Sequence, residues 1–114
     1  MNTTPSPTPT SDGDATAIRI AMPHQLRQLA RVSGEVTVEV APPCTVAATL
    51  DALEAAYPAL VGTIRERASG CRRPMIRIYG AGEDLSDAPQ ATPLPTPVAE
   101  QREPLRLVGA IAGG

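Results

Sequence analysis

Cys44, Cys71 and His24 carry the thiol and imidazole groups that could bind a metal or form a nucleophile with its base. A zinc site needs about four such ligands, and His24 is the only histidine in the sequence. The two cysteines show no CxxC spacing, and no local motif supports a Cys–His nucleophile pair. The sequence therefore predicts no metal site. In a chain expected to be cytoplasmic, both cysteines are predicted to be free thiols.

The ten basic residues are all arginine, so the chain has no lysine for a Schiff base or for a phosphate-binding loop. A formal charge of −2 excludes binding to a polyanion through bulk charge. Tyr57 and Tyr79 are the only aromatic residues, which argues against the stacking of single-stranded bases. No apolar run approaches the roughly 20 residues of a membrane span. We expect a cytoplasmic protein with neither nucleic-acid nor membrane partners.

The last two residues, Gly113 and Gly114, offer a different chemistry, that of a terminal carboxylate. Glycine has no Cβ and costs backbone entropy in a strand, so two glycines after an expected strand do not serve packing. They do form a slim end that could enter a narrow enzyme tunnel, with the carboxylate ionised at neutral pH. The extended reach from Ile111 to Gly114 is roughly 13 Å. The alternative is a frayed end with no function.

Composition divides the sequence into two parts. Residues 1–16 are rich in Thr, Ser and Pro and are predicted to be a disordered tail, because they contain too little apolar surface to offset the entropy of ordering. Residues 17–114 are predicted to form one domain, since a chain of 114 residues is too short for two independent cores. With so few aromatic residues, the core is expected to be aliphatic.

Alternating apolar residues predict the first two strands. Ile18, Ile20 and Met22 alternate with other residues until Pro23 ends the first strand, and residues 36–40 form the second. We interpret residues 24–34 as a long loop that joins the two strands into an antiparallel hairpin.

A helix is predicted next, with Thr45 as its N-cap. The apolar residues of this helix recur at helical spacing: Val46, Leu50, Leu53 and Tyr57. After Pro58, a further short helical turn is expected to extend to Arg67.

Strands return in the second half of the sequence. Met75–Tyr79 is predicted to be a strand, and Leu105–Ala110 is predicted to be the last one. The five prolines of residues 88–104 predict an irregular surface crossing with at most a short edge strand. The order β-β-α-β-β indicates an α+β roll, in which one main helix packs across a mixed sheet.

Several short motifs in residues 17–114 match those of a known family. They are Met22-Pro23, Leu26-Arg27-Gln28-Leu29, Gly34, Val36–Val40, Thr45-Val46, Leu50-Asp51-Ala52-Leu53-Glu54, Tyr57-Pro58, Arg72-Arg73, Ile76-Arg77-Ile78-Tyr79, Gly82-Glu83-Asp84, Thr92-Pro93-Leu94 and Gly109-Ala110-Ile111-Ala112-Gly113-Gly114. Through them the chain resembles the ubiquitin-like β-grasp sulfur carriers of the ThiS/MoaD family. The sequence departs from the family pattern at two places. Gly80-Ala81-Gly82 stands where the family commonly has an Asn-Gly turn. The stretch Pro95–Pro104 is longer than the turn that usually leads into the last strand.

The resemblance implies a β-grasp fold and a protein co-substrate, not an enzyme. An E1-like adenylating enzyme would use ATP to adenylate Gly114, and a sulfur donor would then form a thiocarboxylate. The carrier itself would bind no cofactor and would donate sulfur to a synthase, in molybdenum cofactor or cysteine biosynthesis. Residues expected to thread into the partner are Gly109, Ala110, Ile111, Ala112 and Gly113.

Two other functions stay open. The chain could be a ubiquitin-like modifier that is joined through Gly114 to an amine of another protein, or a plain interaction domain.

Arg77 and Arg106, both on predicted outward faces, are candidates for docking the adenylating enzyme. Alternatively, both arginines are solvent-exposed surface residues with no docking role.

Overall fold

A five-stranded mixed sheet organises the chain in the computed structural model, which describes residues 15–109. The strands lie in the order β2-β1-β5-β3-β4 across the sheet. Their bounds are β1 Thr16–Ala21, β2 Val36–Val40, β3 Ile76–Gly80, β4 Glu83–Asp84 and β5 Leu105–Gly109. The last strand therefore lies in the centre of the sheet.

β1 and β2 pair antiparallel, as the alternating sequence patterns predict. Ile18 lies opposite Val38, and both side chains are buried. Thr16, which composition assigned to the tail, is already the first residue of β1 because it pairs with Val40. Residues 1–14 of the predicted tail lie outside the described residues.

β5 joins the two halves of the sheet. It runs parallel to β1, with Ile20 opposite Leu105, and antiparallel to β3, with Ile78 opposite Leu107. All four of these side chains are buried. The mixed sheet expected from the sequence is thus confirmed.

The main helix, α2, spans Val46–Ala56 and packs against β2. It begins where the sequence predicts, because the Thr45 hydroxyl accepts a hydrogen bond from the amide of Ala48 at 3.0 Å. Leu50 and Leu53 on its inner side are fully buried. An α+β sheet with one main helix across it is therefore confirmed.

The core lies between α2 and the inner face of the sheet, and it is aliphatic as expected. Its fully buried large side chains include Ile18, Ile20, Leu50, Leu53, Leu60, Ile64, Val98 and Leu105. Burying each such side chain contributes roughly 1.5–3 kcal/mol to the free energy of unfolding. No helix in the described part of the chain is long and apolar enough to cross a membrane.

Two predictions about helices were wrong. The connection 24–34 is not only a loop, because α1 spans His24–Ala30 within it and buries Leu26. The helical turn after Pro58 does not continue to Arg67. It is a 3-10 turn over Pro58–Leu60, and Arg65 forms a bridge with Arg72 instead.

The prediction that residues 88–104 form an irregular surface crossing with at most a short edge strand was also wrong. This stretch contains a one-turn helix, α3, at Thr96–Ala99. Pro95 is its N-cap, and Pro97 lies in its first turn, where a proline ring is tolerated because the missing N–H has no helical partner. Leu94 and Val98 are buried, so the segment contributes to the core and is not merely a surface crossing.

Candidate functional site

Gly109 ends β5 and is the residue of the predicted threading segment that the structure describes. Its Cα lies opposite Ile76 at the beginning of β3. The other residues of that segment, Ala110–Gly113, and Gly114, which is predicted to carry the sulfur, lie outside the described residues. Their roles stay predictions. The site that can be described is therefore the surface around Gly109.

A small apolar cleft opens beside Gly109, with a volume of about 200 Å³. It lies between the beginning of α1 and the beginning of β3. Its lining residues are Pro23, Gln25, Leu26, Met75, Ile76 and Gly109. Met75 is 45% exposed, so the apolar surface of the cleft continues onto the outside of the molecule. The sequence does not predict this cleft, because its walls come from segments some 50 residues apart that only the pairing of the strands brings together.

The sheet face opposite α2 carries the two arginines that were expected to point outward. Because side chains alternate along a strand, Arg106 and Val108 of β5 point away from the core, whereas Leu105 and Leu107 are buried. The outward direction of Arg106 and of the half-buried Arg77 confirms the sequence prediction. We call this side of the sheet the open face.

The pairing of β5 with β3 and β1 determines which residues lie next to each outward side chain of β5. Arg106 lies between Tyr79 of β3 and Ala21 of β1. Val108 lies opposite Arg77, and the paired residues of β1 end at Ala21, opposite Arg106. Val108 is 42% exposed, as expected for a side chain with a neighbouring strand on one side only.

Two of the open-face arginines have carboxylate partners. Arg19 makes two hydrogen bonds to Glu35, at 3.0 and 3.1 Å. Arg77 donates to Asp84 at 2.6 Å. Arg106 differs from them, because within residues 15–109 it takes part in no ion pair.

Asp84 is held as a carboxylate by its surroundings. Hydrogen bonds from the side chain and the backbone amide of Ser86, followed by that from Arg77, lower the pKa of Asp84 to about 2. The amide of Ser86 donates to Asp84 Oδ1 at 2.9 Å. The charge that faces Arg77 is therefore permanent at physiological pH, and a second carboxylate, that of Asp87, lies 4.0 Å from the same nitrogen of Arg77.

A second, polar cleft of about 290 Å³ lies on the other side of the molecule, beside α2. Arg65 crosses it and donates to Glu54 at 2.9 and 3.2 Å and to Asp51 at 2.7 Å. Its remaining terminal nitrogen donates to Gln90 at 3.1 Å. Burial lowers the pKa of Arg65, but the hydrogen bonds to Glu54 and Asp51 outweigh it and the net shift is upward. These groups satisfy one another and hold the 61–70 loop on α2.

The thiols are not joined in the structure. Cys44 is half-buried, with its Sγ 3.8 Å from the carbonyl oxygen of Val40, and Cys71 is exposed. Among the described residues, no three His, Cys, Asp or Glu side chains form a group that could hold a metal ion. The polar contacts found around the sheet are caps and ion pairs, which position the strands.

Searches with the sequence against protein-family models and against curated proteins give no match. Solved structures do match. SAMP1 of Haloferax volcanii is 24% identical, with a TM-score of 0.67 over 86% of this chain and 99% of that one. The small archaeal modifier protein 1 of Methanosarcina acetivorans is 19% identical, with a TM-score of 0.66 over 90% of this chain and 100% of the other. The HVO 2177 protein of Haloferax volcanii is 17% identical, with a TM-score of 0.67 over 94% of each chain.

These similarities concern the fold. They confirm the expectation of a ubiquitin-like β-grasp, since the mixed five-stranded sheet and its crossing helix are shared by proteins of similar length.

Proposed function

We propose that this chain is a sulfur carrier whose terminal Gly114 carboxylate is activated and then converted into a thiocarboxylate. The observation that carries the proposal is the position of β5. This strand lies in the centre of a ubiquitin-like sheet and ends at Gly109, five residues before the Gly114 of the sequence. A segment of five residues spans at most about 17 Å. That length would carry the carboxylate well away from the body of the domain.

The chemistry requires two steps, because a carboxylate is a poor electrophile. In the first, a carboxylate oxygen of Gly114 attacks the α-phosphorus of ATP, and pyrophosphate leaves. In the second, hydrosulfide adds to the acyl carbon and AMP leaves with the bonding electron pair. The chain supplies the carboxylate and the surface that is recognised. An E1-like adenylating enzyme would supply the catalytic groups, and ATP would be its substrate.

The tail residues would have simple steric roles in this proposal. Gly113 and Gly114 keep the end of the chain slim, and Ala110 and Ala112 add only methyl groups. Ile111 would line the entrance of the enzyme's tunnel. The sulfur would then pass to a biosynthetic synthase, for which molybdenum cofactor and cysteine formation are the two candidate pathways.

A second candidate function is a protein modifier joined through Gly114 to an amine of another protein. It is favoured by the names of two of the similar structures, the small archaeal modifier proteins of Haloferax volcanii and Methanosarcina acetivorans. The first step would be the same. In the second, an amine would displace AMP and form an amide. Because the chain has no lysine, it offers no side-chain amine for building chains of itself.

The experiment that separates these functions is the intact mass of the full chain after incubation with purified E1-like adenylating enzyme, ATP and sulfide. A carrier gains the mass difference between sulfur and oxygen, and this gain requires ATP. A chain that lacks Gly114, and a chain of full length with a C-terminal amide, should gain nothing while keeping the wild-type melting temperature.

Two other results would redirect the proposal. Conjugates of higher mass that contain Gly114 joined to another protein would favour the modifier. If the mass stays unchanged with every adenylating enzyme of the source organism, the chain is neither a carrier nor a modifier, and the remaining alternative is a plain interaction domain.

A further inference from the structure

We propose that the apolar cleft beside Gly109 is a docking site for the side chain of Ile111 of the same chain. The tail would alternate between a docked form, which holds the terminal carboxylate close to the domain, and a released form, which can enter an enzyme. Docking requires neither ATP nor a partner protein, so this inference goes beyond the proposed function and can be tested without it.

The cleft lies below a position of β5 that carries no side chain. Leu105 and Leu107 point into the core, whereas Arg106 and Val108 point outward. The alternation along the strand therefore assigns Gly109 to the inner face. Gly109 lines the cleft, and because glycine has no Cβ, it contributes nothing that could fill this space. A side chain that fills it must come from another position.

The cleft has the size and the chemistry of a site for one aliphatic side chain. Its volume of about 200 Å³ is smaller than the roughly 300–1,000 Å³ of sites that bind small-molecule ligands. It is closer to the engineered apolar cavity of about 150 Å³ that holds a benzene molecule. Its apolar walls come from Pro23, Leu26, Met75 and Ile76, and Gln25 is the one polar side chain among the described lining residues. Such walls favour an occupant that has no charge and needs no hydrogen bond.

The tail that continues from Gly109 contains one large apolar residue, Ile111, among alanines and glycines. In residues 1–14, which also lie outside the described part of the chain, the one large aliphatic residue is Met1. Because β1 runs parallel to β5, residues 1–14 join the domain at the opposite end of the sheet from Gly109. Ile111 is therefore the apolar residue that the chain itself brings closest to the cleft.

The register of β5 places Ile111 on the side of the cleft. Positions 105, 107 and 109 are the inward positions of this strand, and position 111 continues the same alternation. Continued from the Ile76–Gly109 pair, the register sets position 111 opposite Pro74, which has no N–H to extend the ladder. The tail is thus free to leave the sheet after Gly109. The two residues that separate Ile111 from Gly109 span about 7 Å, which is short enough for the side chain to turn back over the cleft.

Docking would shorten the reach of the tail without covering its end. From Ile111, the last three residues span at most about 10 Å, compared with about 17 Å for the five residues after Gly109. Gly113 and Gly114 lie beyond the docked side chain. Burial of one aliphatic side chain and the entropy of ordering two residues are of similar size and opposite sign, so both forms are populated. An enzyme that needs the full length of the tail must first release Ile111.

The test is methyl NMR spectroscopy of the full chain, labelled at the Ile Cδ1 and Met Cε methyl groups. We expect a nuclear Overhauser effect between the methyl groups of Ile111 and Met75. Ile111→Ser should shift the Met75 methyl resonance, because the side chain that packs against it is lost. Ala112→Ser is the matched control. It introduces the same residue one position further along, where the strand alternation points away from the cleft, and it should leave the Met75 resonance unchanged.

A second pair of variants tests the wall of the cleft. Met75 is 45% exposed, so Met75→Ser removes part of the wall and little of the core. We expect it to lower the heteronuclear NOE of the Ile111 amide, because an undocked tail moves faster. Leu29→Ser is the control, since Leu29 is 47% exposed and does not line the cleft. It should leave the heteronuclear NOE of Ile111 at the wild-type value.

Two outcomes would overturn the docking site. One is the absence of an Overhauser effect to Met75 together with a Met75 resonance that is the same in Ile111→Ser and Ala112→Ser. The other is an effect that appears only between differently labelled copies in a mixed sample, which would assign the cleft to a second molecule. Unchanged methyl resonances of the buried Ile18 and Ile20 show that each variant is folded. Since no adenylating enzyme is present, a failure here leaves the carrier function standing, and a chain that is never charged can still dock its tail.

Discussion

Arg77 Nη2 donates a hydrogen bond to Asp84 Oδ2 at 2.6 Å and so connects β3 to the short edge strand β4. Asp84 also accepts from the amide of Ser86, whose hydroxyl in turn accepts from the buried amide of Ile78 at 2.8 Å. One carboxylate therefore organises the turn that closes this end of the sheet.

This arrangement predicts a pH dependence of stability. The pKa of Asp84 is lowered from 3.8 to about 2, first by Ser86 and then by Arg77. Because the pKa is lower in the folded state, the carboxylate stabilises the fold fully above pH 4, and this stabilisation is lost as the pH falls towards 2. Asp84→Asn should therefore melt below the wild type at pH 6. The difference should shrink between pH 4 and 2 and vanish below it.

Thermal melts followed by circular dichroism at closely spaced pH values would check this. A gap between Asp84→Asn and the wild type that stays constant from pH 6 to 1.5 would show that the variant acts by altered packing and not by loss of the charge.

A second prediction concerns Arg65. Its two hydrogen bonds to Glu54 and one to Asp51 lie in a site where the Arg65 and Glu54 side chains are only 12% and 15% exposed. Arg65→Met would leave the Glu54 carboxylate largely buried without its partner, which costs about 1–3 kcal/mol. Urea denaturation would measure the loss. Arg102→Met is the control, because the Arg102–Glu100 pair is 63% and 57% exposed and should contribute less than about 0.5 kcal/mol.

If Arg65→Met is as stable as Arg102→Met, the polar cleft does not hold the 61–70 loop. A double variant that also carries Glu54→Gln should recover part of the stability, because the unpaired charge is then removed.

The cap of α2 provides a third prediction. The Thr45 hydroxyl satisfies the amide of Ala48, which has no partner within the helix. Thr45→Ala should lower the free energy of unfolding by about 1 kcal/mol, and Thr45→Ser should retain most of the stability. Equal loss in both variants would mean that the methyl group of Thr45, not its oxygen, is what stabilises the helix. Chemical denaturation of the three proteins distinguishes these results.

The elements with strong local signals were predictable from the sequence. The alternation of Val36, Val38 and Val40 predicted β2 with its observed bounds, and Thr45 marked the beginning of α2. The helix α1 was missed because its signal is weak. It has seven residues, its N-cap Pro23 makes no side-chain hydrogen bond, and Leu29 on its surface is 47% exposed. In the structure, its backbone hydrogen bonds and the packing of Leu26 into the core distinguish it from a loop.

The details of the candidate site depend on register, which the sequence does not reveal. Arg77 and Arg106 look alike in the pattern, since each alternates with buried residues of its strand. They differ in the structure because β4 brings Asp84 next to Arg77, whereas β5 places Arg106 between Tyr79 and Ala21. Two arginines with the same local pattern therefore have different electrostatic partners within residues 15–109.

The last prediction addresses the tail that the proposed function requires to be slim. Gly113→Leu adds a branched side chain next to the reacting carboxylate, at a position beyond the end of β5. The proposed function requires this end of the chain to be free of the domain, so the melting temperature should stay at the wild-type value. The rate of thiocarboxylate formation should fall at least about tenfold, which corresponds to about 1.4 kcal/mol in the activation free energy. Gly113→Ala should have an intermediate rate, since a methyl group demands less space. Rates come from intact-mass sampling of the charging reaction over time, and a normal rate for Gly113→Leu would refute the narrow tunnel while leaving the adenylation of Gly114 unaffected.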